Sequence, residues 1–93
     1  MGVKKELKQQ IIKHSKVMSE VFKKIRVLKK EETFKELYDL AFSYFKDSKH
    51  FYEKELFVQS FEALIIAWAY LDTGLRLDLF ELTDEKLKDY FTI

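Results

Sequence analysis

The sequence predicts an all-α fold, an antiparallel three-helix bundle with a short C-terminal fourth helix, and three observations predict it. The chain has no proline and only two glycines, Gly2 and Gly74, in 93 residues. It therefore lacks the residues that make the tight turns of a β-rich fold. From Ala63 to Leu71, nine apolar or aromatic residues follow one another. That run is too long for one strand, rich in helix formers, and reads as a central helix buried on most of its circumference. Finally, Leu7, Ile11, His14, Met18, Val21, Ile25 and Leu28 recur at spacings of 4, 3, 4, 3, 4 and 3, the seam of a helix packed on other helices.

In chain order, helix 1 is predicted over about 4–28, with lysines opposite the seam and Ile12, Val17 and Phe22 beside it. Thr33 and Glu36 have the spacing of a capping box and open helix 2, about 34–53. Its apolar stripe includes Phe34, Ala41, Phe45 and Ser48. No Gly or Pro marks its end. Continuing the stripe in phase would bury Glu55 and Glu62, whereas Phe57, Phe61, Leu64 and Trp68 lie about one residue out of phase. A turn near Glu53 to Leu56 restores burial. Helix 3 then spans about 57–80, and Gly74 within it implies close approach of a neighbour or a local bend. Helix 4, about 84–91, has Thr83 as its cap and Leu82 positioned to staple onto Leu87. The length suits one domain with one core.

Composition removes several function classes. Without cysteine there is no disulfide framework, thiolate metal site or Cys nucleophile. Two isolated glycines cannot form a phosphate-binding loop. The N-terminus leads with Lys4, Lys5 and Lys8 rather than an apolar segment, and the longest apolar run is well below the roughly 20 residues that span a bilayer. A cytoplasmic protein without a membrane partner is the expectation. The net charge of +1 conceals an asymmetry. Residues 1–30 hold ten basic and two acidic side chains, a net +8, while residues 31–93 hold seven and fourteen, a net −7. Either helix 1 docks on an acidic body or it offers a basic face to an anionic partner. The near cancellation favours docking.

Few residues suggest chemistry. His14 is the polar member of the helix-1 seam, and a hydrogen-bonded, half-buried histidine is the expected role. His50 follows Asp47 by three residues, a surface hydrogen-bonding arrangement without the third group of a triad or the further ligands of a metal. Asp72 and Arg76 have the i,i+4 spacing of a surface ion pair. Ser43, Ser48 and Ser60 lack an identifiable base or oxyanion loop. No catalytic, cofactor or metal site is predicted. Lys13, Lys16, Lys23, Lys24 and Lys30 are candidate anion or nucleic-acid contacts. With arginine only at Arg26 and Arg76, any such binding would follow phosphates rather than bases.

Tyr44 to Lys54, Ser60 to Leu64, Ala67 to Asp72 and Gly74-Leu75-Arg76-Leu77 resemble the short archaeal proteins grouped as domain of unknown function 357. The resemblance covers about residues 34–80. It implies an archaeal, cytoplasmic helical bundle with no assigned biochemical role. Members of that family tend to carry a Gly-Asp-like turn after helix 2, where this chain has Glu55-Leu56. The helix-2/helix-3 hairpin is also distantly similar to HEPN domains, whose ribonucleases use Arg-x-x-x-x-His. Here Arg76 is followed by Glu81 and Arg26 by Glu31 at the histidine position, so nuclease activity does not carry over. The predicted function is a non-enzymatic protein-interaction or self-associating module, with homodimerisation as one form. A nucleic-acid-associated protein using the helix-1 lysines is the alternative.

Overall fold

The computed structural model describes residues 2–28 and 31–91. Three helices dominate it: α1 (Gly2–Lys23), α2 (Glu32–Glu53) and α3 (Phe57–Arg76). Two short strands, β1 (Ile25–Val27) and β2 (Phe80–Leu82), and a 3-10 helix over Glu85–Tyr90 complete the chain. α2 and α3 form a tight antiparallel hairpin. α1 lies alongside it, parallel to α3, because Lys8 sits over Phe57 and His14 contacts Trp68 further up both helices. Met18 and Val21 of α1, Ala41 and Phe45 of α2, and Leu64, Ala67 and Leu71 of α3 share one core. Phe22, beside the α1 seam, stacks on Phe45 at 5.2 Å and is half-buried.

The ends of the helices differ from the sequence expectation in instructive ways. α1 stops at Lys23 rather than near Leu28, and α3 at Arg76 rather than Phe80. The residues beyond pair as an antiparallel ribbon, Ile25 opposite Leu82, Arg26 opposite Glu81 and Val27 opposite Phe80. Each triplet alternates apolar, charged, apolar, the pattern of a strand with one buried face. The Ile25 position of the α1 seam also satisfies that alternation, and β-branched Ile25 and Val27 favour it. Leu28 N–H donates to the Leu79 carbonyl at 2.9 Å and Thr83 N–H to the Lys24 carbonyl at 2.7 Å, extending the ribbon. Gly74 is buried where Phe80 crosses α3, so the neighbour implied by that glycine is the Phe80 ring.

Two capping expectations are corrected. α2 begins at Glu32 with Glu31 as cap and no side-chain cap bond, so Thr33 lies inside the helix and the Thr33/Glu36 box is not its start. Instead the Glu31 carbonyl accepts directly from Phe34 and Lys35 N–H. At the 3-10 helix the cap is Asp84, whose carboxylate accepts from Lys86 N–H at 3.0 Å. Thr83 turns its hydroxyl to the Lys24 carbonyl at 3.0 Å. The Lys24 carbonyl thus accepts from both the backbone N–H and the hydroxyl of Thr83, and the hydroxyl is not used as a cap.

The central run on α3 is the largest correction. It is buried on one side only: Ala63, Leu64, Ala67 and Leu71 face the core, while Ile65, Ile66 and Ala69 face outward. In a three-helix arrangement each helix keeps a solvent side, and two neighbours cannot cover α3 all round. Inside the hairpin, Ser48 and Ser60 are fully buried, each hydroxyl donating to the other residue's backbone carbonyl at 2.7 Å. Small, mutually satisfied side chains let α2 and α3 approach closely there.

The turn between α2 and α3 occupies Lys54–Leu56. Leu56 N–H reaches back to the Phe51 carbonyl and Glu55 N–H to Tyr52, the paired bonds of a Schellman cap. Glu55 takes the left-handed conformation this requires, φ 61°. α3 ends the same way, with Leu79 N–H bonded to Gly74 and Asp78 N–H to Leu75, and Asp78 at φ 58°.

Candidate functional site

Two surfaces bear the residues singled out in the sequence. The first is the outward side of α3 and the recess beside it. Val58, Glu62, Ile65, Ala69, Asp72 and Arg76 follow one another at spacings of 4, 3, 4, 3 and 4 along a single helix face. Val58 is 60% exposed, Ile65 46% and Leu77, just past the helix, 61%. Toward α1 and the 3-10 helix this face opens into a recess of about 290 Å³ lined by His14, Trp68, Asp72, Tyr90 and Phe91, with Ile65 and Ala69 as its floor.

His14 meets the Trp68 ring edge-on at 5.4 Å and shares a hydrogen bond of 3.1 Å with Gln10. The half-buried, hydrogen-bonded role expected of it is the one observed. Burial pushes its pKa below the ordinary histidine value, and the Lys13 charge pushes it the same way. The ring is therefore neutral at pH 7. Asp72 stands one turn beyond Trp68 on the same face and is half-buried. Arg76 is exposed in the last turn of α3. The structure thus brings His14 and Asp72 together around Trp68. His50 lies elsewhere, exposed on α2 and 6.2 Å from the Phe51 ring. Sequence reasoning missed Trp68, Tyr90 and Phe91 as lining residues, because aromatic residues at helical spacing read as core.

The second surface is basic. Lys13 and Lys16 are exposed on α1, and Lys23 is paired with Glu20 at 3.5 Å. Lys24 is half-buried and bound to Asp84 at 3.2 Å. Lys4 and Lys8 sit over the Phe57 ring, while Lys30 lies outside the described residues. The Lys86 backbone N–H first, and Lys24 next, hold the Asp84 carboxyl below its ordinary value. The two charged halves of the chain meet at the Lys24–Asp84 and Arg26–Glu81 pairs, but most α1 lysines face solvent. Among the described residues no group of three or more His, Asp or Glu side chains is placed to hold a metal ion. No described helix is long and apolar enough to cross a membrane.

These features define a class: an all-α protein of three packed helices, closed at one end by a two-stranded ribbon and carrying an aromatic recess. The chain belongs to the family described as protein of unknown function (DUF357), which matches residues 13–80. The crystal structure of protein AF1782 from Archaeoglobus fulgidus, described with the same family, is similar to it with a TM-score of 0.73. The two are 30% identical, over 87% of this chain and 99% of that one. No curated protein matches the chain.

Proposed function

We propose that the protein is a non-enzymatic helical interaction module that pairs with a second copy of itself along the outward face of α3. The observation that carries this reading is the exposed stripe of Val58, Ile65 and Ala69 on a helix whose other side already fills the core. Such heptad-spaced apolar faces are the usual contact surface of paired helices. Two stripes crossing antiparallel about Ala69 bring small side chains to the crossing point. The same register sets Glu62, which lies between Val58 and Ile65 on that face, against Arg76 of the other copy, so these charges are complementary. The exposed area supports the same reading. An 11.3 kDa monomer is expected to expose roughly 5,700 Å², and this chain exposes 6453 Å². The excess of roughly 700 Å² approaches one side of a standard interface, about 800 Å².

Nucleic-acid binding through α1 has less support, since Lys23 and Lys24 are engaged by Glu20 and Asp84. Sedimentation of the full chain tests self-association. A dimer at tens of micromolar is expected, and Ile65→Glu should give a monomer with unchanged helicity. A wild-type chain that remains monomeric throughout that range overturns the proposal.

A further inference from the structure

We propose that the groove between α1 and α2 binds a single aliphatic chain ending in an anionic group, of the class of medium-chain carboxylates. α1 packs on α3, and its backbone hardly approaches that of α2. The gap is a groove of about 280 Å³, with Ile11 and Ile12 of α1 on one wall and Lys49 and Tyr52 of α2 on the other. Ser48, also in the lining, is 1% exposed and its hydroxyl donates to the Ser60 carbonyl. The floor therefore presents no unsatisfied polar group that calls for a polar ligand. Ile12 is 44% exposed, apolar surface that a bound chain would remove from water. Toward the ribbon, Phe22 reaches across from α1 to Phe42 and Phe45, 5.2 Å from each, and closes that end. Toward the α2–α3 turn, the Tyr52 ring meets Phe57 at 5.3 Å.

The charges at the two ends select the head group. Lys49 Nζ sits 4.5 Å over the Phe45 ring and Lys46 Nζ 5.5 Å over Phe42. At the other end Lys4 and Lys8 lie 5.7 and 5.5 Å over Phe57. Rings hold these ammonium groups beside the groove without neutralising them. The ion pairs found among the described residues join other side chains. Glu53, exposed on the rim, is the carboxylate of the lining and stands against these four lysines. An anionic head therefore meets net positive charge, whereas a cationic head is repelled. The Ser15 hydroxyl in the same lining can donate to a head-group oxygen. Size selects the rest. One turn of a helix with its side chains occupies roughly 420 Å³, from a ~10 Å diameter and a ~5.4 Å pitch, so the groove takes a slender chain rather than another helix. None of these residues lies on the outward face of α3, and a monomeric chain would still carry the groove.

The experiment titrates the full chain with hexanoate, octanoate and octyltrimethylammonium, each below its micelle-forming concentration, by isothermal calorimetry, with amide NMR to locate the site. Octanoate should saturate in the millimolar range, about 10-fold tighter than hexanoate because two more methylenes are buried. It should bind at least ~5-fold tighter than the cation. The NMR shifts should centre on Ile11, Ile12, Ser15 and Tyr52. Ile12 and Lys49 are exposed, so Ile12→Glu and Lys49→Gln should keep the fold, checked by circular dichroism. The first should abolish octanoate binding and the second weaken it about 3-fold. Equal affinity for octanoate and the cation, no gain over hexanoate, or shifts confined to another surface overturns the inference. So does binding to anionic vesicles without a response to soluble octanoate, which would make this face a membrane-surface patch. Dissociation of a dimer by Ile12→Glu would give the groove to a second copy and overturn it equally.

Discussion

Gly74 offers the most direct test of how the end of α3 is built. An added Cβ there would collide with two carbons of the Phe80 ring, well inside the optimal carbon–carbon separation of roughly 3.5–4.0 Å. The backbone itself does not oppose a side chain, because Gly74 does not have a positive φ. Two effects of Gly74→Ala therefore compete. Helix propensity favours Ala by about 1 kcal/mol. Overpacking opposes it, typically by about 1–3 kcal/mol. The upper part of that range applies because Phe80 is only 2% exposed and its backbone is fixed opposite Val27 in the ribbon. The net expectation is a loss of about 2 kcal/mol, or roughly 8–16 °C in Tm for a chain of this size. Thermal and urea unfolding followed by circular dichroism read the change. Phe80→Leu combined with Gly74→Ala should recover at least ~1 kcal/mol relative to additivity, since the two sites touch. A Gly74→Ala variant more stable than the wild type, or a strictly additive pair, would show that Phe80 does not pack over Gly74.

Two further expectations follow from the turns and the titrating groups. Glu55 holds a left-handed conformation that costs a non-glycine residue about 1–2 kcal/mol, of which Gly returns part to the entropy of the unfolded chain. Glu55→Gly should therefore stabilise by about 0.5–1 kcal/mol, while Glu55→Ala stays near wild type in urea unfolding; equal midpoints for all three would refute the strain argument. For pH, the folded-state His14 pKa lies below that of the unfolded chain, so below about 6.5 the unfolded chain binds more protons. Stability should fall as pH drops from 7.5 toward 5.5, and His14→Gln should flatten that slope. Asp84, also lowered, acts in the same direction further down, below the ordinary carboxylate value of 3.8. An identical slope in His14→Gln between pH 5.5 and 7.5 would remove His14 as the cause.

The fold class was legible because it rests on patterns that span many residues. The α1 seam from Ile11 to Val21 holds its spacing over three buried turns. The phase slip between the stripes of α2 and α3 falls where the chain breaks, at Lys54–Leu56. The break carried no glycine signal because Glu55, and later Asp78, fill the cap positions glycine usually takes. The ribbon was illegible for a different reason. Three residues of alternation in Ile25–Val27 fit a strand and a continuing helix equally, and the pairing partner lies more than fifty residues away. Burial of α3 was overread, since nine apolar residues in a row cannot reveal how many neighbours the helix will have. Of the site, His14 stood out because it interrupts an apolar seam. Trp68, Tyr90 and Phe91 did not, because only tertiary structure separates a recess wall from core.

The ribbon also links the two ends of the molecule in a way that bears on the recess. α2 and α3 pack along their whole lengths, whereas α1 touches α3 less extensively. β1 therefore fixes the C-terminal end of α1, and β2 leads directly into the 3-10 helix that carries Tyr90. The ion pairs across this junction are largely exposed, and such pairs contribute little individually. What holds the junction is the burial of Phe80, Leu82, Leu87 and Phe91 in the common core. Val27 and Ile25 pack against that core from the α1 side. The family match ends at residue 80, so the helix faces of the recess lie within the shared segment, whereas Tyr90 and Phe91 lie beyond it. The wall that residues 81–91 add to the recess is therefore the part of this surface that lies outside the family match.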